Sequence, residues 1–339
     1  MKHKRSQIAA LLIAFLMTAN MTKAALAEAS QVKIARQYGI IYLPLMLMEH
    51  EKLFEKHAKK EGLEGASAKF IQLGGTAIMN DALLSGTLDF ASVGAPALAK
   101  LWDKTKGTQY EVKGMAAISS MPMLLNTRDP KVHSIRDFTE KNKIAMNAVK
   151  VSIYAMVLQM AAAKEFGDKN YDKLDAFTVS LPHPEATRAM LSGVGGIDSH
   201  FTAPPYSSQE LAQPGIHTVL SSGEVVGRHG SIVLLVSTNR FREQNPKAYK
   251  AMFDAYSEAI DLLNRDKENA ANIYLQMTKS KESMEAVLNM LNDKETEFTV
   301  TPKGTMNYVD FMYKIGLIKN RPVSWKDLFF PEVHQLPGN

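Results

Sequence analysis

The chain of 339 residues contains no cysteine. That absence excludes disulfides, thiolate metal sites, a cysteine nucleophile and a lipid-bearing N-terminal cysteine, so the fold must be held by burial alone. Metal and nucleophile signatures are missing as well. The nine histidines show no H-x-x-x-H spacing, no Gly-x-Ser-x-Gly elbow occurs, and Gly74-Gly75-Thr76 lacks the Lys-Ser/Thr that a phosphate loop requires. Beyond residue 27 no apolar run approaches the roughly 20 residues needed to cross a bilayer. Nor does any Lys/Arg run there exceed two residues, which removes the usual mark of a nucleic-acid or acidic-membrane partner.

What the chain does have begins at its N-terminus. Met1-Lys2-His3-Lys4-Arg5 is followed by an apolar core from Ile8 to Met17 and by Ala25-Leu26-Ala27. A basic start, a short apolar core and a small-x-small exit are the parts of a cleavable secretory signal, so residues 1–27 are expected to direct export to a periplasm. The formal charge of +5 belongs to this leader. Without Lys2, Lys4, Arg5 and Lys23 the 40 basic residues become 36, against 35 acidic ones. The remainder, 28–339, is long enough for two domains or one large one, at about 100–200 residues per domain.

That remainder alternates β-like runs with helical patterns, as in an α/β protein with a mostly parallel sheet. Strands are expected at 32–36, 69–73 and 88–93, with helices at 43–57, 77–84 and 95–102. A second block follows, with strands at 143–149, 177–181 and 196–202 and helices after Ser152 and over 184–191. Apolar extended stretches near 116–125 and 231–237 separate the blocks. Then the chain becomes almost wholly helical, with Tyr249, Met252, Phe253, Tyr256, Ile260 and Leu263 on one stripe. Two crossings between two blocks, near 116–123 and 226–237, imply lobes hinged about a cleft, with lobe one spanning 28–118 plus 232–339 and lobe two 119–231.

Ligands of open α/β sheets sit beyond the carboxyl ends of the strands. Following the first three expected strands are Gln37, Tyr38 and Tyr42, then Gly75 and Thr76, then Gly94 and Ala95. In the second block the corresponding residues are Lys150 and Ser152, then Thr202, Pro204 and Tyr206. The crossings add Met121, Arg228 and His229. Glycine allows close approach to the backbone, helix starts offer unpaired N–H groups, and tyrosine supplies a flat wall with a polar tip. Asp198 and His200 would share one face of a strand, yet nothing beside them completes a catalytic set; no catalytic residue, metal or cofactor is expected.

The segments Gly39-Ile40-Ile41-Tyr42-Leu43-Pro44, Gly74-Gly75-Thr76 and Ala82 to Phe90 resemble the nitrate/sulfonate/taurine type of periplasmic substrate-binding proteins. Glu185 to Gly193, Ile197-Asp198 and Pro204-Pro205 resemble the second-lobe repeat of the same unit. The resemblance covers essentially all of 28–339. It implies a type II periplasmic-binding-protein fold, a two-lobed clamp that captures a ligand for an ABC importer and presents the closed form to a membrane permease with its ATPase. Among the ligands of that family, the tyrosines and the Met121-Pro122-Met123 crossing suit a small organic anion, sulfonate or carboxylate, with an aromatic or alkyl body, which Lys150 or Arg228, set near a strand end and a crossing, is expected to neutralise. A monomer suits such a clamp. The alternatives are a ligand-sensing module for a receptor and an enzyme related to pyrimidine synthases, the latter disfavoured by the leader and the missing cysteines.

Overall fold

The computed structural model describes residues 28–339; the expected signal segment lies outside the described residues. Eleven strands are described: β1 (Gln31–Arg36), β2 (Ser67–Gln72), β3 (Phe90–Val93), β4 (Val112–Ser120), β5 (Leu124–Thr127), β6 (Ile144–Met146), β7 (Thr178–Ser180), β8 (Ser199–Thr202), β9 (His217–Ser221), β10 (Val233–Thr238) and β11 (Glu297–Phe298). They form two sheets. The first runs β11-β4-β10-β3-β1-β2 and the second β7-β6-β8-β5-β9.

Each sheet has a parallel half and an antiparallel half. β1 pairs in parallel with β2 and β3, and β6 with β7 and β8, whereas β10 and β5 run against their neighbours. Central strands buried on both faces read as continuous apolar or small runs, as Phe90-Ala91-Ser92-Val93 does, while the edge strand β2 is half exposed. The two-lobed α/β architecture expected from the strand and helix pattern is therefore the observed one. The chain passes between sheets at residues 121–123 and 222–232, which makes these the two crossings.

Local departures have identifiable causes. The helix expected over 43–57 is two helices, Leu43–His50 and Leu53–Lys60, because Lys52 adopts the left-handed conformation between them. Pro44 sits in the first turn, where its missing N–H costs nothing. Thr76 is the first residue of its helix rather than a side-chain cap, whereas Ser152 does cap the Ile153–Phe166 helix by accepting from the Ala155 N–H at 3.2 Å. The 20-residue helix Pro246–Arg265 buries Tyr249, Met252, Tyr256, Ile260 and Leu263 against the first two helices, with Phe253 half-buried beside them. Two-residue β11, unforeseen among the C-terminal helices, adds an edge to β4.

Candidate functional site

The carboxyl ends of β1, β3 and β6 meet across the gap between the lobes. Gln37, Ile41, Tyr42, Thr76, Gly94, Ile232 and Val233 from the first lobe face Asn147, Ile153 and Tyr154 from the second around a nearly filled cavity of about 10 Å³. That is room for about one water. Helices of 9, 11 and 14 residues start here, at Thr76, Ala95 and Ile153, so their N-terminal N–H groups and positive dipole ends converge on it.

The lobes touch. Asn147 Nδ2 donates to Gln37 Oε1 across the gap at 2.7 Å, and Gln37 Nε2 is 3.5 Å from Thr76 Oγ1. Asn147 Oδ1 is buried without a partner. A Cβ on Gly75 would stand 2.7 Å from the Asn147 carbonyl oxygen, and one on Gly94 would stand 2.9 Å from Ile153 Cβ. Both glycines therefore serve the close approach of one lobe to the other. The Pro204 carbonyl lies against Gly39 in the same seam.

A larger groove of about 760 Å³ opens beside this cavity. Arg36, Tyr38 and Gln72 line it from one side, Arg188, Tyr206 and Gln209 from the other, and Tyr274 with residues 277–283 cover it. Gln209 Nε2 donates to Glu282 Oε1 at 2.8 Å, tying the second lobe to this cover. Arg36 is held by Glu49 at 2.5 Å, while among the described residues Arg188, Lys279 and Lys281 have no ion-pair partner. The groove is thus net positive and the inner cavity is lined by no charged side chain.

Five tyrosines stand along this path. Tyr42 and Tyr154 line the inner cavity; Tyr38, Tyr206 and Tyr274 line the groove. Burial holds the hydroxyls of Tyr42, Tyr154, Tyr206 and Tyr274 above the ordinary tyrosine range; repulsion from neighbouring phenolate charge adds to the rise, from Tyr154 and then Tyr206 at Tyr42, and from Tyr206 at Tyr154 and Tyr274. All four remain protonated donors at physiological pH.

Behind Tyr206 lies a chain of buried polar groups. Glu210 Oε1 is 2.6 Å from His200 Nδ1, and His200 Nε2 is 2.9 Å from His183 Nδ1. Thr187 Oγ1 and Asn126 Nδ2 also donate to the Glu210 carboxylate, at 2.9 and 3.0 Å. The His183 ring stacks on Tyr206 and meets Tyr154 edge-on. Burial, then the neighbouring His200, holds His183 well below the ordinary histidine range, so it is neutral. The expected Asp198–His200 face does not exist. β8 starts at Ser199, and the Asp198 carboxylate accepts from Ser199 Oγ, Asn142 Nδ2 and the Lys143 N–H rather than from His200.

Of the residues expected from sequence, Gln37, Tyr42, Thr76 and Gly94 line the inner cavity, and Tyr38 and Tyr206 the groove. Gly75 and Pro204 stand in the lobe seam, and Ala95 is the buried first residue of the helix that Gly94 caps. The Ser152 hydroxyl is used as a helix cap and Thr202 Oγ1 is 3.0 Å from His183 Nδ1, so both serve the second lobe itself. Lys150 is exposed near Asp175, on whose carboxyl its charge acts. Met121, Arg228 and His229 line a small cleft at the crossings, where Arg228 pairs with Glu295 at 3.0 Å. The structure leaves both expected cations, Lys150 and Arg228, away from the inner cavity.

Sequence reasoning missed Asn147, Tyr154, Arg188 and Tyr274. Asn147 was within reach of the strand-end rule, but the apolar Ala148-Val149 extends the expected strand three residues past its true end at Met146.

No curated protein sequence matches the chain at a significant level. Solved structures share its fold. The alkanesulfonate-binding protein SsuA from Xanthomonas axonopodis pv. citri, bound to MOPS, superposes with a TM-score of 0.68 at 17% identity, covering 89% of this chain and 99% of that one. The periplasmic nitrate-binding protein NrtA from Synechocystis PCC 6803 gives 0.65 at 16% identity over 88% and 84%. A Candida albicans gene product described as having the generic periplasmic binding protein fold gives 0.66 at 14% over 88% and 96%. Residues 25–276 match the NMT1-like family, and with a match over most of its length the chain belongs to that family.

Proposed function

We propose that this protein is the solute-binding component of an ABC importer, and that it captures a small organic anion, sulfonate or carboxylate, between its two lobes. The observation that carries the reading is the cleft itself. Strand ends and three helix starts from opposite sheets face each other around it, tyrosines wall it, and the groove leading to it is net positive. The alkanesulfonate- and nitrate-binding proteins that share the fold add support.

In this reading lobe one is 28–118 with 232–339, lobe two is 119–231, and residues 1–27 are a signal removed on export to the periplasm. A ligand that touches both lobes stabilises the closed form over the open one, and only that difference in contact shifts the equilibrium. The crossings at 121–123 and 222–232 absorb the motion. A membrane permease with its ATPase then reads the closed monomer, and the ligand leaves chemically unchanged.

Calorimetry and thermal unfolding of residues 28–339 with ethanesulfonate, benzenesulfonate, benzoate and nitrate test this. A ligand present at 100 times its Kd should add about 2.7 kcal/mol to stability. Folded, ligand-free protein that binds none of the four contradicts the reading.

A further inference from the structure

The cleft holds more hydrogen-bond donors than the protein can use. Among the described residues, none of the hydroxyls of Tyr38, Tyr42, Tyr154, Tyr206 and Tyr274 makes a hydrogen bond to protein, although Tyr42, Tyr154 and Tyr274 are each at most 4% exposed. By contrast, the buried Tyr256 hydroxyl donates to the Ala117 carbonyl at 2.6 Å. Unlike the sealed and unpartnered hydroxyls of Tyr249 and Tyr308 in the first lobe, none of these five is shut away from its surroundings, so each is open to a ligand in the cleft.

The rings are close neighbours along one path. Tyr154 and Tyr206 both pack on His183, at 5.0 and 5.7 Å between ring centres, and the Tyr206 ring lies against Gly39, one residue beyond Tyr38. Tyr42 shares the inner cavity with Tyr154, and Tyr274 shares the groove with Tyr206. Tyr206 stands at the junction, and ionising it would make ionisation of Tyr42, Tyr154 and Tyr274 harder.

Five O–H donors face a single unpartnered buried acceptor, Asn147 Oδ1. Water can serve these hydroxyls in an empty cleft, and a ligand that displaces it must bring acceptors in its place. No carboxylate lines the inner cavity, and the convergent helix starts and groove cations make its potential positive, which disfavours a cationic ligand in an otherwise aromatic cage.

We infer that Tyr38, Tyr42, Tyr154, Tyr206 and Tyr274 form a neutral donor cage that recognises the oxygens of a carboxylate or sulfonate headgroup at Tyr206. The rings flank the ligand's organic body, and the exposed Arg188 and Lys281 are not its anchors. This inference rests on the proposed clamp and names what recognises the ligand within it.

Tyr→Phe substitutions remove the donor and keep the ring. Calorimetry should compare wild type, Tyr42→Phe, Tyr154→Phe, Tyr206→Phe and the double variant Arg188→Gln/Lys281→Gln, with benzenesulfonate, benzoate, benzamide and phenyltrimethylammonium as probes. Apo melting curves would establish that each variant folds, and exposed Tyr313→Phe serves as control. Benzoate or benzenesulfonate should bind wild type, and Tyr206→Phe should weaken that binding about 10- to 100-fold, the range for a hydrogen bond to a charged group. The Arg188/Lys281 variant should lose no more than about fivefold, as exposed charges do.

Anion binding that survives all three phenylalanine variants within twofold overturns the cage and leaves the clamp standing. So does a loss concentrated in the Arg188/Lys281 variant, or tighter binding of phenyltrimethylammonium or benzamide than of the anions. Wild type indifferent to every probe overturns the anion clamp, and the cage with it.

Discussion

In the first lobe the core is aromatic and aliphatic: Phe54, Phe90, Tyr256, Tyr308, Phe329 and Phe330 are fully buried. Some buried hydroxyls there donate singly to nearby backbone, as Ser92 does to the Ala35 carbonyl and Ser237 to that of Asp89, while those of Ser119, Tyr249, Thr305 and Tyr308 have no partner. The second lobe instead buries Glu210, His200 and His183. Among the described residues these are the only acid and histidine side chains that are buried, and they are joined side chain to side chain with Thr187, Asn126 and Thr218. Apolar burial is tolerant, because one hydrophobe of similar volume can replace another. A buried polar chain is not, because each member is the partner of the next.

The largest expected effect sharpens that contrast. Glu210→Ala should cost about 3–5 kcal/mol, since it strands the donors of His200, Thr187 and Asn126 in the core. Phe54→Ala, in the first lobe, should cost a similar 3–5 kcal/mol through its cavity. Conservative variants should then separate the lobes. Phe54→Met should lose under about 1.5 kcal/mol. Glu210→Gln brings N–H donors to a point where three donors already converge, so it should lose at least about 2 kcal/mol. Urea unfolding of the four variants measures this, and a Glu210→Gln variant as stable as the Phe54→Met variant would erase the proposed difference.

A smaller effect follows from His183. It is neutral in the folded lobe because burial and His200 depress its proton affinity, while in the unfolded chain it titrates near 6.5. Above pH 6.5 both states are neutral and the stability is complete. As pH falls below 6.5 only the unfolded chain takes up the proton, so stability is lost, at up to about 1.4 kcal/mol per pH unit, until the folded pKa is reached. Hydrogen exchange at pH 5.5 should therefore deprotect β6 and β8 before β1 and β3. Equal loss in both sheets would show that the acid sensitivity does not reside in the second lobe's core.

The same contrast explains what was legible in the sequence. The apolar first lobe announces its strands and helices by periodicity, and the two crossings follow from counting β/α units. Chemistry-bearing contacts were harder. His200 found its acid in Glu210, ten residues on and in the Tyr206–Leu211 helix, because β8 begins one residue after Asp198. Tyr274 reaches the cleft from a helix, Lys267–Thr278, that folds back from far along the chain, and no local pattern marks it. The strand-end rule located one wall of the cavity well. On the other wall a three-residue error in one strand end put Lys150 where Asn147 lines the inner cavity.

The smallest expected effect lies at the rim of the first lobe, where a polar side chain is replaceable because water can take its place. The Pro246–Arg265 helix receives no side-chain cap from Asn245; instead the Glu28 carboxylate accepts from the N–H groups of Lys247 and Ala248, at 3.1 and 2.7 Å. A carboxylate there satisfies two orphan donors and meets the positive end of a 20-residue dipole. Glu28→Ala should cost about 1 kcal/mol, the usual worth of a cap, and Glu28→Asp part of that. If the first lobe's polar contacts are as dispensable as its chemistry suggests, exchange should rise only in the first turn of that helix. A loss of protection reaching β1 or β3 would show that this lobe, too, depends on a single polar tether.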